Sequence, residues 1–326
     1  MSRLSCGSDG HDFWRALLRR FLRERFDRRV YKVGVDAGFT CPNIDGRVAV
    51  GGCTFCNNDS FRPAALRLAG TVGEQITRGA GFLRSRFGAD QFMAYFQAYT
   101  NTYAPVAELQ GLYREALAHP DVVALSIATR PDCVNPEILA MIDELAGDRT
   151  VIVEYGVQSI HDTTLDRINR GHRYNAFLRA LDWSANRRFL VGAHIILGFP
   201  WETREQMLAT ADELSRHPIQ LLKIHHLHIV RGTALARQHR AAPFELLECE
   251  AYIELLGEFL ARLRPDIVVE RLFGTAPPRM LVAPRWNKTK TQLLGEIHRH
   301  LEQAGIVQGM LWKPFPNQEC EPAGNQ

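Results

Sequence analysis

The amino-acid sequence predicts an α/β fold whose core is a partial (β/α)6 barrel. Short apolar segments alternate with helix-length segments of mixed apolar and charged residues, which is typical of right-handed βαβ units and a parallel sheet. The chain has 326 residues, enough to bury a core of barrel size with a small appendage. Its least ordinary polar residues come directly after apolar segments, and ligands bind at the carboxyl ends of parallel strands.

Three units are predicted along the chain. Residues 1–30 form a basic amphipathic helix, because apolar residues recur at helical spacing and residues 12–32 contain eight basic and three acidic side chains. Its arginine-rich face is either a solvated surface or a phosphate-binding one. Residues 31–264 form the barrel. Residues 265–326 form a small C-terminal appendage with a strand, a proline-rich bend and a helix at 290–303.

The elements of the barrel follow the apolar pattern. Strands are predicted at residues 31–35, 92–96, 122–128, 150–157, 190–197 and 221–230, and helices at residues 106–118, 136–146, 163–169, 176–185 and 204–215. Strands joined through helices run parallel, so their carboxyl ends meet at one edge of the sheet. Apolar strands are expected to line the site there and to exclude solvent.

Composition indicates a cytoplasmic protein without a membrane partner. The apolar share of 46% and the charged share of 23% are ordinary for a globular domain, and the net charge of +3 says little about partners. No apolar run approaches the roughly 20 residues of a membrane span, and the first residues contain no apolar signal core. Seven cysteines, three of them clustered, favour a reducing compartment and a metal site over disulfides.

The clustered cysteines are the most specific chemical signal. Cys41, Cys53 and Cys56 have the spacing C-x11-C-x2-C directly after the first strand. Three thiolates leave one position of a four-coordinate metal site or iron–sulfur cluster without a protein ligand. Phe55 adds an aromatic wall that limits access of water. A redox pair or half of a zinc site is the alternative interpretation of the paired cysteines.

The segments Cys53-Thr54-Phe55-Cys56, YKVGVDAGFTCPN and GGCTFCN resemble the radical S-adenosylmethionine (SAM) superfamily. The long first gap is similar to that of a YhcC-like bacterial group related to the Elongator catalytic subunit. The resemblance implies a partial (β/α)6 radical SAM barrel in which the three thiolates hold a 4Fe–4S cluster and SAM chelates its fourth iron. It also implies reductive cleavage of SAM to a 5′-deoxyadenosyl radical, with an electron donor such as flavodoxin or ferredoxin.

The same resemblance implies a set of SAM-binding residues. Gln97 occupies the place of a glycine-rich motif that is absent here, and an ordinary polar loop is its alternative. Gln158 and Arg170 resemble a pair that holds the SAM carboxylate and ribose, and a guanidinium grips a carboxylate in a fork. For Arg170 the alternative is a helix cap. His194 matches polar residues near the SAM ribose, or is a satisfied core histidine.

Other polar residues are predicted from the strand pattern. Glu154 needs a partner if buried, and Asp132 is placed to pair with Arg130. Alternation puts His226 and His228 on one face of the sixth strand, where they could bind a second metal, but no carboxylate completes such a site.

Kinship with the Elongator subunit implies that the substrate is a tRNA base. The basic N-terminal helix fits this substrate, and so do the basic residues between Arg279 and Lys313, which lie beside Trp286. A small molecule is the alternative substrate, by analogy with the oxygen-independent coproporphyrinogen oxidase group. A non-catalytic iron–sulfur or zinc module is the alternative from another functional class.

Overall fold

In the computed structural model, residues 20–314 are described except 27, 61–69 and 148. The predicted α/β fold is confirmed: within these residues seven parallel strands form one curled sheet, in the order β1-β2-β3-β4-β5-β6-β8. A second, antiparallel sheet pairs β7 with β9. The strands are β1 (Val30–Val35), β2 (Gln91–Phe96), β3 (Val122–Thr129), β4 (Thr150–Gln158), β5 (Leu190–Leu197), β6 (Leu221–His226), β7 (Ile229–Val230), β8 (Val268–Arg271) and β9 (Leu281–Ala283).

Helices cover the outside of the main sheet, and several of them begin at side-chain caps. They are α1 (Val72–Phe87), α2 (Val106–Ala118), α3 (Pro136–Ala146), α4 (Asp162–Arg167), α5 (Asn175–Ser184), α6 (Arg204–Leu214), α7 (Ala234–Ala241), α8 (Cys249–Arg262) and α9 (Lys290–Gln303). Capping boxes at Thr71, Thr203 and Thr289 bind the first free amides of α1, α6 and α9. None of the helices in the described part of the chain is long and apolar enough to cross a bilayer.

The main sheet has one strand more than the six that the sequence predicts. The seventh, β8, comes from the segment assigned to the appendage, and it pairs in parallel with β6. It has only four residues, too few for a clear apolar pattern. The predicted sixth strand also divides, because the chain leaves the main sheet after His226 and residues Ile229–Val230 join the small sheet.

The lumen of the curled sheet begins with an apolar layer at its amino-terminal end. This layer packs against Phe21 and consists of one inward-facing residue from each of four strands: Met93, Ala124, Ile152 and Leu221. Each lies two residues before a polar residue that faces the same way. Phe21 belongs to a helical stretch at residues 20–25, which therefore closes this end of the barrel. The rest of the predicted N-terminal helix lies outside the described residues.

Above the apolar layer the lumen is polar, contrary to the expectation that apolar strands line the site. The inward positions carry Tyr95 of β2, Ser126 of β3, Glu154 of β4 and Lys223 of β6. The apolar residues of these strands instead face the helices, where they form the main core. A fully parallel sheet buries both faces, so an apolar run does not reveal which side chains point inward.

Candidate active site

One cavity of about 780 Å³ opens at the carboxyl edge of the main sheet. The structure places every site residue predicted from the sequence in its wall: Cys41, Cys53, Phe55, Cys56, Gln97, Gln158, Arg170 and His194. These residues come from the loop after β1, from the ends of β2 and β4, from β5 and, for Arg170, from the turn after α4. The strands bring them together because they are parallel. Their roles remain predictions, but their grouping in one wall allows them to act on one ligand.

The cysteine loop is fastened to the turn after α4 by hydrogen bonds. Asn43, which is fully buried, donates from Nδ2 to the carbonyl oxygens of Asn169 and Arg170 at 2.6 and 2.9 Å. Asn169 in turn donates to the carbonyl oxygen of Gly52 at 2.9 Å, and the Thr54 amide donates to Ile168. The loop is therefore fixed before any cofactor binds, which lowers the entropic cost of binding.

Two arginines lie against the cysteine sulfurs. Arg170 approaches the Sγ of Cys53 with Nη1 at 3.5 Å and donates from Nη2 to the Gly156 carbonyl at 2.6 Å. Its guanidinium therefore lines the cavity and does not cap a helix. Arg130 approaches the Sγ of Cys41 at 3.9 Å and is held by two hydrogen bonds to Asp132, the pairing expected from the sequence. Both cations favour thiolates and anionic sulfide clusters.

The spacing of the three sulfurs fits a cluster better than a single ion. A tetrahedral zinc ion with Zn–S bonds of about 2.3 Å draws its sulfurs to about 3.8 Å from one another. Among the described residues, the sulfurs of Cys41, Cys53 and Cys56 do not form a set whose members all lie within 4.8 Å of one another. Thiolates bound to separate irons of a cube must lie farther apart than zinc ligands, so the donor set suits a 4Fe–4S cluster.

In the described part of the chain the cysteines form no disulfide, and burial raises the pKa of Cys56, Cys133 and Cys249. The thiols of the five cysteines in the described part of the chain are free. Burial, followed by repulsion from Cys53 and Cys41, raises the pKa of Cys56 to about 12. Without a metal this residue is therefore a protonated thiol at neutral pH, and ligation of iron must release its proton.

Gln158 is held in an uncommon backbone conformation at the end of β4. Its φ of 69° lies in the left-handed region, next to a bulge in the pairing with β5. The bulge turns the side chain into the cavity, where Oε1 is buried without a hydrogen-bond partner. A Cβ at Gly156 would come within 2.8 Å of Gln158 Nε2 and 3.0 Å of Arg170 Nη2, so glycine is needed for this approach. Strain with an unused acceptor indicates a ligand-binding position.

His194 and Gln97 line the cavity, and His194 has a side-chain nitrogen that is free for a ligand. Nε2 of His194 is buried without a partner, and its ring lies 4.2 Å from that of His225. Burial and the nearby positive charge of Lys223 lower the pKa of His194 to about 3, so the ring is neutral at physiological pH. It is therefore not the satisfied core histidine of the alternative interpretation.

The low pKa of His194 predicts acid lability. The unfolded chain binds a proton there near pH 6.5, whereas the folded chain binds one only near pH 3, so stability falls as the pH falls below 6.5. The slope from this one group is about 1.4 kcal/mol per pH unit. The free energy of unfolding in urea, measured from pH 7 to pH 5, should fall less steeply in a His194→Asn variant. Equal slopes in the two proteins would contradict the assignment.

A buried charge network lies directly below the cavity. Glu154, 4% exposed in its side chain, accepts hydrogen bonds from Lys223, from Ser126 Oγ at 2.7 Å and from Tyr95 at 3.1 Å. Burial is the largest single effect on the pKa of Glu154 and raises it. The charges of Lys223 and Lys32, with hydrogen bonds from Lys223 and Ser126, together outweigh burial and hold this pKa well below its usual value. The sequence indicated that Glu154 needs a partner, but not which residue supplies it.

The network also joins the two edge strands of the sheet. Lys32 of β1 lies 2.6 Å from Glu270 of β8 and 3.3 Å from Glu154. Lys223 lies 3.3 Å from Glu270. Because β1 and β8 are not hydrogen-bonded to each other, these ion pairs are what hold the curled edges together at this level.

The histidines of the sixth strand and Trp286 have other partners than those predicted. Nε2 of His226 and Nε2 of His228 are 2.7 Å apart, and no metal-binding group among the described residues contains them. The ring of Trp286 stacks on His226 at 4.1 Å and donates to the Leu247 carbonyl. Trp286 is thus not the exposed stacking surface for RNA that the basic segment suggested.

Comparison with known families agrees with this site. The Radical SAM superfamily model matches residues 44–214, and the Radical_SAM C-terminal domain model matches residues 219–303. The chain belongs to the radical SAM superfamily, whose members generally bind a 4Fe–4S cluster and SAM. It is an enzyme of that class, as the sequence predicts.

Its relatives include proteins that it matches over nearly their full length. It is 36% identical over 297 residues to an uncharacterized protein, YtqA of Bacillus subtilis (91% of this chain and 92% of that protein). It is 34% identical to protein YhcC of Escherichia coli K12 (90% and 94%). A tRNA uridine(34) acetyltransferase of Methanocaldococcus jannaschii is 26% identical over 56% of this chain and 34% of that protein.

The solved structure of archaeal Methanocaldococcus infernus Elp3 has the same fold. The TM-score is 0.65 with 19% identity, over 86% of this chain and 64% of that one. At this identity the likeness concerns the fold alone.

Proposed function

We propose that this protein is a radical SAM enzyme in which Cys41, Cys53 and Cys56 hold a 4Fe–4S cluster, and that its substrate is a tRNA base. The observation that carries the proposal is one cavity wall with three free thiols and two fixed guanidinium groups. Neither of the other two cysteines in the described part of the chain, Cys133 and Cys249, lines this cavity. Such a wall leaves one cluster position open to a small ligand.

The cluster and SAM would together supply one-electron cleavage of SAM to methionine and a 5′-deoxyadenosyl radical. The chain's own residues hold and shield these groups. In this proposal Arg170 and Gln158 bind the SAM carboxylate and ribose. Phe55, packed edge-on against Phe199 at 6.5 Å, keeps water from that wall. An external donor such as flavodoxin or ferredoxin would supply the electron.

Two observations support a tRNA substrate. Relatives that match about half of this chain are described as tRNA uridine(34) acetyltransferases. Exposed arginines also stand at the mouth of the cavity: Arg279 lines it, and Arg231 is joined to the neighbouring Met280 by a backbone hydrogen bond of 2.8 Å. Such cations would contact RNA phosphates while a base enters the cavity.

The first test is formation of 5′-deoxyadenosine. The full chain, reconstituted anaerobically with iron and sulfide and given SAM and dithionite, should release this product together with methionine. Chromatography with mass detection measures both. The absence of 5′-deoxyadenosine from protein that carries a full cluster would overturn the enzyme proposal and favour the scaffold alternative.

The second test separates tRNA from a small-molecule substrate. Bulk tRNA from cells that lack this protein should accelerate 5′-deoxyadenosine formation and acquire a changed nucleoside, detected by mass spectrometry of its digest. Binding should weaken steeply with salt, because phosphate contacts release counterions. Binding that does not respond to salt, with no change in any nucleoside, would exclude tRNA and leave the small molecule.

A further inference from the structure

Arg271 reaches the lumen of the barrel because of a bulge. The register between β6 and β8 shifts between Leu222 and Lys223, so that Lys223 faces Arg271 rather than Glu270. Alternation would send two successive residues to opposite faces of a strand. Here Glu270 contacts Lys223, and Arg271 contacts the lumen-facing His225. Bulges re-aim side chains beside functional sites, so the position of Arg271 calls for a functional explanation.

In the described part of the chain, Arg271 has no carboxylate as a counterion. The buried network holds two lysines, Lys32 and Lys223, against two carboxylates, Glu154 and Glu270. Arg271 adds a third cation, and among the residues described it forms no ion pair with any carboxylate. Counted over these same residues, this part of the lumen carries one positive charge more than its carboxylates neutralise.

The hydrogen bond that Arg271 forms with His225 orients its guanidinium without neutralising it. Nη1 donates to His225 Nε2 at 3.0 Å, which requires that this nitrogen be unprotonated. Burial, with repulsion from His194 and Arg271, holds the pKa of His225 well below its usual value, in keeping with a neutral acceptor. The remaining N–H groups of the guanidinium stay available, and the side chain is exposed to the open space of the cavity.

Arg271 differs from the two arginines near the cysteines in what its guanidinium contacts. Arg130 is neutralised by Asp132, and Arg170 is bound to the Gly156 carbonyl and the Cys53 sulfur. The cavity of about 780 Å³ is near the upper end of the roughly 300–1,000 Å³ that single ligand pockets occupy. It therefore has room for a second chemical group beside SAM.

We propose that Arg271 binds a singly charged oxyanion of the substrate, a carboxylate or a phosphodiester, and so fixes the substrate in the lumen below SAM. This proposal rests on the proposed radical SAM function and names the group that the substrate must carry. A guanidinium with free N–H groups binds such an anion in a fork, and the unbalanced charge of the lumen supplies the attraction.

The test compares Arg271→Gln, Arg271→Lys and wild type as reconstituted full-length enzyme. The outer-surface variant Arg114→Gln, which changes the same side chain on α2, is the matched control. Arg271→Gln should raise the KM for substrate about ten- to a hundredfold, the loss expected for one charged hydrogen-bonded contact, while the Kd for SAM stays unchanged. The KM of Arg271→Lys should lie between those of wild type and Arg271→Gln, since lysine keeps the charge but cannot form two parallel hydrogen bonds. Arg114→Gln should match wild type.

Three probes identify the source of the anion. If the anion is a substituent on an already modified base, Arg271→Gln will raise the KM for cellular tRNA but not for an unmodified transcript. If the anion is an RNA phosphodiester, Arg271→Gln will raise the KM for both RNAs. If it is a free acid, acetate will protect wild type but not Arg271→Gln against thermal unfolding.

Two results would overturn the role of Arg271. One is that Arg271→Gln behaves like wild type towards all three probes. The other is that Arg271→Gln raises the Kd for SAM as much as the KM for substrate, which would place Arg271 in the SAM site. A wild-type enzyme that forms no 5′-deoxyadenosine would instead refute the proposed function itself.

Discussion

A Cys53→Ser variant is expected to lose the iron–sulfur cluster and with it all formation of 5′-deoxyadenosine. Cys53 is the cysteine most closely held by its surroundings, with Arg170 Nη1 and Asn43 Nδ2 each 3.5 Å from its sulfur. A serine hydroxyl is a poor ligand for iron, and the cluster would then be left with two thiolates. Bound iron per chain and the yield of 5′-deoxyadenosine should both fall by roughly a hundredfold or more.

The matched control for this variant is Cys249→Ser. Cys249 is also buried, but it lies at the start of α8, outside the cavity. This variant should retain both the iron and the activity of wild type. Retention of a full cluster by Cys53→Ser, or its loss from Cys249→Ser alone, would show that the cluster is held elsewhere.

Replacing Glu154 with leucine should cause the largest loss of stability. Its side chain is 4% exposed and that of Lys223 is 7% exposed, so the pair is shielded from water. Without Glu154, Lys32 and Lys223 share the single carboxylate of Glu270. Leaving a buried charge uncompensated costs about 3–5 kcal/mol, which should be seen as a lower free energy of unfolding in urea.

A second substitution and a surface pair test the cause of that loss. Adding Lys223→Met to Glu154→Leu removes the uncompensated charge and should restore part of the stability. Glu258→Leu breaks an exposed ion pair with Arg204, 2.9 Å long, and should change stability by no more than about 1 kcal/mol. Equal losses in the free energy of unfolding for Glu154→Leu and Glu258→Leu would show that the lumen network stabilises the fold no more than an exposed ion pair does.

The sequence predicted those parts of the fold that repeat a local pattern. The bounds of α2, α3 and α9 agree with the predicted helices, because each begins with a proline or threonine signal and ends where the apolar spacing ends. The bounds of β5 also agree with the prediction, because its apolar run ends at Gly198. β8 was not assigned to the barrel, because its place depends on pairing with β6 and not on its own four residues.

From residue types alone, the site was predictable only where a residue type signals its own chemistry. The family resemblance supplied the other predicted residues in the cavity wall, Gln97, Gln158, Arg170 and His194. Three cysteines at a fixed spacing indicate metal binding by themselves. Asn43 and Arg271 do not, since asparagine and arginine occur throughout loops and surfaces. Their positions depend on partners 126 and 46 residues away, Asn169 and His225. The polar lumen likewise arises from curling of the sheet, which no local pattern reports.

The open position of the cluster is tested most directly by electron–nuclear double resonance on the reduced, reconstituted protein. SAM would carry magnetic isotopes at its amino nitrogen and carboxylate oxygens. We expect couplings from both labels to the cluster, unchanged in a Cys133→Ser variant, because three thiolates leave the fourth iron to SAM. Absence of both couplings, together with a cluster spectrum that changes in Cys133→Ser, would show that the polypeptide fills that position.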